Sequence, residues 1–255
     1  MKLNKKTYFT PENKYLSNSK CNDWLKGKEY FYKKHIAHEL SSPITDALVT
    51  GSAVDTWLTE GKEAFDREYI VVSRRSRKGD VPWRYQLSST MYDEIVGICE
   101  VAEKADAIQA LGGHKKQVVL QTDIELGHWK GLCGVLDFLW VDGDDAIITD
   151  LKTTKSIVPT KYHYSCLDYG YYRQLAMYGI LVEKNFGVKN IVYRHIAIEK
   201  NTDKIYKAQT FQISDDRINY ERDVLFKIFD DIKAEKEYKD PEVTWDSAIT
   251  IGEVL

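Results

Sequence analysis

Apolar residues recur at helical spacing through the first part of the chain and alternate along its middle. After Asn18-Ser19, the positions Trp24, Leu25, Tyr30 and Phe31 predict a helix. Ile44, Leu48, Val54, Trp57 and Leu58 predict a second helix over Ile44–Leu58, with Gly61 placed to end it. Glu68–Val72 reads as a short strand. A third helix runs over Ser88–Leu111, with Met91, Ile95, Ile98, Val101 and Ala102 on one side and Gly112-Gly113 at its end. Lys116–Ile124 is a strand. Tyr162–Glu183 is a long Tyr-rich helix, Ile191–Ile198 and Ile205–Ile213 are strands, and a last helix starts at Ser214 with the stripe Ile218, Leu225, Ile228, Phe229 and Ile232.

The clearest pattern lies over Gly131–Thr154, two strands joined by a turn at Asp142-Gly143-Asp144-Asp145. With Gly143-Asp144 as the loop, Asp137 and Asp150 fall directly opposite each other. Opposed side chains share a face, about 4.5–5.5 Å apart at Cβ. Lys152 lies two residues beyond Asp150, on that same face. The other face carries Leu136, Phe138, Trp140, Ile147 and Leu151, apolar enough to be covered by a helix. Carboxylates in such a place repel one another, and a cation between them resolves the repulsion. Mg2+ is commonly held by one or two carboxylates plus waters and phosphate oxygens.

The order of elements is helices, three strands, a helix, two strands and a helix. This predicts an α/β fold with a central mixed sheet and helices on both faces. We expect a single domain over 1–240, with a helical N-terminal part (1–115), a catalytic core (116–240), and a C-terminal extension over 241–255.

Composition narrows the class. The 255 residues are 43% hydrophobic and 29% charged, with a net charge of −3, as in an ordinary globular protein. No run of about 18 apolar residues offers a membrane span, and the N-terminus lacks a secretory pattern, so a cytoplasmic protein is expected. The four cysteines are widely spaced and form no metal-binding pair. No Gly-rich phosphate loop and no Gly-x-Ser-x-Gly elbow occurs.

Further candidates surround the hairpin. Glu125, on the preceding strand, is either a third carboxylate or a strand-end surface residue. Gln174 and Tyr178 are four apart and share a helix face. Asp55, in Gly51-Ser-Ala-Val-Asp55, is by itself an ordinary helix residue. The segment Arg74, Arg75, Arg77, Lys78, followed by Trp83-Arg84-Tyr85, mixes cations with aromatics, a composition that suits a nucleic-acid backbone and base stacking. His35 and His38 lack the further ligands that a zinc site needs.

The series Gly134-Val-Leu-Asp137, Thr149-Asp150-Leu-Lys152-Thr153 and Gln174-x-x-x-Tyr178 resembles the PD-(D/E)XK nuclease superfamily. Within it, the pattern is similar to the branch of RecB-type nuclease domains and RecE-like phage recombination exonucleases of the exonuclease VIII type. Leu16-Ser-Asn-Ser19, the Asp55 helix, the Arg-rich loop and the Glu125 strand extend the likeness over roughly Leu16 to Ile198. That branch usually has His where this chain has Asp55, and the iron–sulfur cysteines of some relatives are absent.

The resemblance implies a restriction-endonuclease-like core and a Mg2+-dependent exonuclease on double-stranded DNA ends, with Mn2+ as an alternative. It implies 5′→3′ action in phage-type recombination beside a single-strand annealing protein, in a homo-oligomeric ring, within the bacterial host cytoplasm. Asp137, Asp150, the Leu151 carbonyl and Asp55 would hold the metal, with Glu125 able to join them. Lys152 would handle the attacking water or the developing charge. Gln174 and Tyr178 would steady the site, and Arg74, Arg75, Arg77, Lys78 and Arg84 would hold DNA. The alternatives are a structure-specific endonuclease on the same core and an inactive DNA-binding protein.

Overall fold

The computed structural model describes residues 3–10, 12–75, 80–200, 205–236 and 238. The expected tail over 241–255 lies outside them, as do Arg77 and Lys78. A short helix, α1 (Lys5–Tyr8), leads into strand β1 (Tyr15–Leu16). The single helix expected after Asn18 is two, α2 (Asn18–Trp24) and α3 (Lys28–His35), broken at Gly27. Helix α4 (Asp46–Glu60) begins where the Thr45 side chain accepts the Leu48 N–H at 3.3 Å, and it stops at Gly61. Leu48, expected on its apolar stripe, is exposed. Helix α5 (Lys62–Glu68) takes the start of the expected Glu68–Val72 strand, leaving β2 (Ile70–Val71), which pairs in parallel with β3 (Gln86–Leu87).

The expected Ser88–Leu111 helix is broken at Ala105 into α6 (Ser89–Lys104) and α7 (Asp106–Gln109). Strands β4 (Lys115–Leu126), β5 (Trp129–Asp142) and β6 (Asp145–Thr154) follow. The long helix expected over Tyr162–Glu183 is α8 (Pro159–Tyr169) and α9 (Tyr171–Phe186), separated by Gly170 at φ 67°. A Cβ at Gly170 would also lie 2.7 Å from the Asn22 side chain, so the break is fixed both by conformation and by close packing. Strands β7 (Asn190–Glu199) and β8 (Lys207–Ile213) and helix α10 (Asp215–Ala234) complete the described fold.

The sheet runs β1-β5-β6-β7-β8, with β4 on the other edge of β5. The β6–β7 and β1–β5 pairs are parallel and the others antiparallel, so the sheet is mixed as expected. Helices α9 and α10 bury one cluster with Leu132, Leu136, Leu139 and Ile148. Helices α4 and α6 bury a second with Phe138, Leu151, Ile196 and Ile198. Helices thus lie on both faces. The four cysteines are free and buried. Among the described residues no helix is long and apolar enough to cross a membrane.

Two irregularities in the sheet position everything that follows. Strand β5 meets β6 only from Asp142↔Asp145 to Phe138↔Thr149, and its far end meets β1 at Gly131 and Leu132. The same edge of β5 is therefore shared by two strands, with an uncovered stretch between them at residues 133–137. The inside–outside alternation also slips there. Leu136 and Leu139 belong to the first cluster and Phe138 to the second, which corrects the expectation that Leu136, Phe138 and Leu151 share one face. Strand β4 slips at the facing residue. Val118 packs against the first cluster, whereas the Lys116 ammonium lies over the Phe138 ring at 5.6 Å. Gln117, between them, has φ 49°, the left-handed region that non-glycine residues seldom occupy.

Candidate active site

The uncovered stretch of β5 leaves backbone groups without strand partners, and side chains take their place. The Asp137 carboxylate accepts the Leu151 N–H at 2.8 Å through Oδ2. The register expected for the hairpin holds at its turn, but the strands part just before Asp137 and Asp150 would pair. Asp137 thus bridges the fork rather than sitting in a ladder. N–H and C=O of one strand residue point to the same edge, so the Leu151 carbonyl faces the fork too. The Val135 carbonyl accepts the Tyr178 hydroxyl at 2.7 Å, and Gln174 Nε2 donates to Tyr178 Oη at 2.6 Å. Gly134 permits this contact, since a Cβ there would lie 2.8 Å from the Tyr178 ring. Gln174 and Tyr178 therefore share a face of α9 and clamp β5 two residues from Asp137.

Asp150 is 1% exposed. Its Oδ2 forms an ion pair with Lys152, whose ammonium also lies 4.7 Å from the Tyr171 ring centroid. Behind them His195, fully buried on the neighbouring β7 position, has Nε2 4.0 Å from Asp150 Oδ2. Burial pushes His195 down to about 4, so at neutral pH it is an uncharged neighbour of Asp150 and not its counter-ion. Lys152 stays protonated. Burial works against its charge, but Asp150 and Asp137 outweigh that and hold it above the ordinary lysine range.

Helix α4 brings Asp55 to the same place. Gln117 Nε2 donates to Asp55 Oδ1 and Oδ2 at 3.2 and 3.1 Å and lies 3.4 Å from Asp137 Oδ1. The two carboxylates are thus linked through one amide nitrogen. Burial, with Asp150 and Glu60 adding and Lys5 and Lys152 opposing, raises Asp55 to about 6. Asp137 is raised well above the carboxylate range by burial first, then by Asp55 and Asp150. The fold spends free energy to hold like charges together.

Other expected residues lie elsewhere. Glu125 is exposed beside the β4–β5 turn, near the Leu126↔Trp129 pair. It is eight residues along β4 from Gln117, about 26 Å at ~3.3 Å per residue, so it is not part of this cluster. Arg75 is not free for a phosphate. Its side chain is 7% exposed, ion-paired with Asp46, stacked 4.0 Å over the Trp83 ring, and donates to the Trp83 carbonyl at 3.2 Å. Arg74 and Arg84 are exposed. His35 is a structural partner of Asp23 at 2.9 Å. Sequence reasoning missed Gln117. A turn at Gly127-His128 alone would set Gln117 opposite Phe138, and the register shift between Asp123 and Leu126 moves it opposite Asp137, so no local signal pointed to it.

Among the described residues no three His, Cys, Asp or Glu side chains converge tightly enough to hold a metal ion by themselves. The donors at the fork still suit a hard cation. Asp55, Asp137, Asp150 and the Leu151 carbonyl are all oxygen donors, and Mg2+ takes only one or two carboxylates before water and substrate oxygens fill its shell. Asp55 and Asp137 converge on one amide nitrogen, and a cation at that place would relieve the repulsion between the two carboxylates.

The chain matches, over residues 17–242, the profile of a family described as a PDDEXK-like domain of unknown function. Among solved structures it is similar to a protein from Eubacterium rectale described as a candidate exonuclease. The TM-score is 0.65 at 18% sequence identity, covering 91% of this chain and 87% of that one. This likeness shows the fold. A second structure, SSO0001, aligns over 82% of this chain and 83% of its own at 15% identity, with a TM-score of 0.29 that supports no argument. No curated protein sequence matches the chain.

Proposed function

This chain belongs to the PDDEXK-like domain family, and from that premise we propose that it is a divalent-cation-dependent deoxyribonuclease acting on the ends of double-stranded DNA. The observation that carries the reading is the fork between β5 and β6. There Asp137 and Asp150 stand where the ladder ends, Asp55 joins them from α4, and protonated Lys152 pairs with Asp150. Asp137, Asp150, Asp55 and the Leu151 carbonyl would hold Mg2+ or Mn2+. When bound, the cation supplies Lewis-acid polarisation of a phosphate oxygen and a lowered pKa for water.

The rest of the work belongs to the chain. The Lys152 ammonium, fixed between Asp150 and the Tyr171 ring, donates to a phosphoryl oxygen as charge develops on it. A preorganised donor of this kind contributes about 10²–10³ in rate. The Tyr178 hydroxyl holds β5 at Val135 and so sets where Asp137 stands. Neutral His195 fills the space behind Asp150 and keeps water from that side. Arg74 and Arg84, both exposed, would meet phosphates, whereas Arg75 is ion-paired with Asp46 of α4.

The finer features of the reading come from the resemblance in sequence: exonuclease action in the 5′→3′ direction, recombination beside an annealing protein, and a homo-oligomeric ring. Linear and covalently closed duplexes separate an exonuclease from a structure-specific endonuclease, because only the first requires an end. The proposal is tested by Asp150→Ala and Lys152→Ala on linear duplex with Mg2+. Both variants are expected to keep the fold by circular dichroism and lose degradation. Full degradation by either one removes it from the chemistry.

A further inference from the structure

Gln117 is the residue that the proposed chemistry leaves unused. Three observations meet on it. It faces Asp137 across the β4–β5 ladder, between the pairs Lys116↔Phe138 and Val118↔Leu136. Its backbone is left-handed at φ 49°, one of only three such non-glycine residues among those described. A conformation of this kind persists only where the surroundings enforce it, and such residues gather at functional sites. Finally, its single Nε2 lies within 3.1–3.4 Å of three carboxylate oxygens from two aspartates.

We propose that Gln117 is a ligand of the divalent cation, through its side-chain carbonyl oxygen; the proposal rests on the cation-site reading above. With no cation between Asp55 and Asp137, the amide presents its N–H groups to their carboxylate oxygens. The terminal torsion of glutamine is broad and roughly two-fold, so a half-turn brings Oε1 to where Nε2 stands without moving the backbone. Glutamine carbonyls are ordinary ligands for hard cations.

The spacing suits this exchange. Oxygens about 2.1 Å from an octahedral centre lie about 3.0 Å from their neighbours. The present hydrogen-bond separations of 3.1, 3.2 and 3.4 Å are close to that spacing, so the exchange needs only a small shift of the side chains. Gln117 would add a neutral side-chain oxygen to the donors at the fork, beside Asp55 and Asp137, which its amide already meets. The left-handed turn at Gln117 is what aims the side chain at the fork, since β4 changes face at this residue.

The test is metal-dependent thermal stabilisation of the full chain without DNA, titrated with MgCl2 and with MnCl2 after EDTA treatment. Gln117→Ala is expected to need at least tenfold more metal for half-maximal stabilisation than the unaltered protein. Gln117→Glu keeps an oxygen ligand and is expected to hold or lower that midpoint. It is also expected to melt below the unaltered protein in EDTA, because a third carboxylate joins Asp55 and Asp137. The Glu variant keeps the proposal open to refutation if the Ala variant does not fold.

An unchanged midpoint in Gln117→Ala overturns the proposal. A lowered midpoint does so as well, since the amide would then only compete with the cation. If the unaltered chain gains no stability from either metal, the cation site itself fails and takes this proposal with it. A failure confined to the Gln117 variants leaves the site standing.

Discussion

Replacing Asp55 by Asn should make the metal-free protein more stable while weakening its response to metal. The structure sets the magnitude. Asp55 is raised from 3.8 to about 6 by burial and neighbouring carboxylates. Between those values the folded chain binds more protons than the unfolded one, so the Asp55 contribution to stability falls as pH rises through about 4–6. Two pKa units correspond to about 3 kcal/mol. Asn removes the charge and still accepts from Gln117, so Asp55→Asn should gain about 2–3 kcal/mol above pH 6 and close to nothing near pH 4.

His195 acts in the opposite sense. Its pKa is lowered to about 4, so its contribution rises with pH over about 4–6.5. Both proteins contain it, and it cancels in the difference. The assay is urea unfolding in EDTA at pH 4, 5, 6 and 8, or melting, where a chain of this size shifts by roughly 2–4 °C per kcal/mol. With added Mg2+ the variant should gain far less than the unaltered protein. A metal-free Asp55→Asn protein that is less stable at pH 8, or a gain that does not change with pH, refutes the argument that Asp55 is held against its own repulsion.

Two other predictions separate holding from binding. Tyr178→Phe deletes the clamp on the Val135 carbonyl and leaves the Gln174 amide without its acceptor; it should cost about 1–3 kcal/mol by urea unfolding and lower the maximal cleavage rate more than DNA affinity. Arg75→Ala should lower the melting temperature and leave the salt dependence of DNA binding unchanged, because the guanidinium is engaged by Asp46 and Trp83. Arg84→Ala should do the reverse, flattening the slope of log affinity against log salt by about 0.9.

The mixed sheet and the helices on both faces were legible because period and length of the apolar runs differ sharply between β5–β6 and α9. The Gly143-Asp144 turn fixed the hairpin register, and the spacing of Gln174 and Tyr178 placed them on one face. What escaped was set by other parts of the chain. Strand β1 takes part of the edge of β5, which opens the fork, and no local pattern reveals that Tyr15-Leu16 ends there. Gly27 and Gly170 break helices whose apolar stripe runs on past them. Arg75 looked like its neighbours in a basic segment until Asp46 and Trp83 were found around it. Glu125 lay on the right strand but at the wrong end, since position along β4 depends on where the following turn falls. Gln117 was hidden by its neutral side chain and by a backbone conformation that residue type does not announce.

The most direct measurement is the release of label from 5′-labelled linear duplex, followed over time with Mg2+ and with EDTA, using the unaltered protein beside Lys152→Ala. Release with Mg2+ alone, absent in EDTA and reduced at least 100-fold in the variant, is the result expected of a cation held at the β5–β6 fork beside Lys152. Equal release with and without metal, or by both proteins, contradicts it.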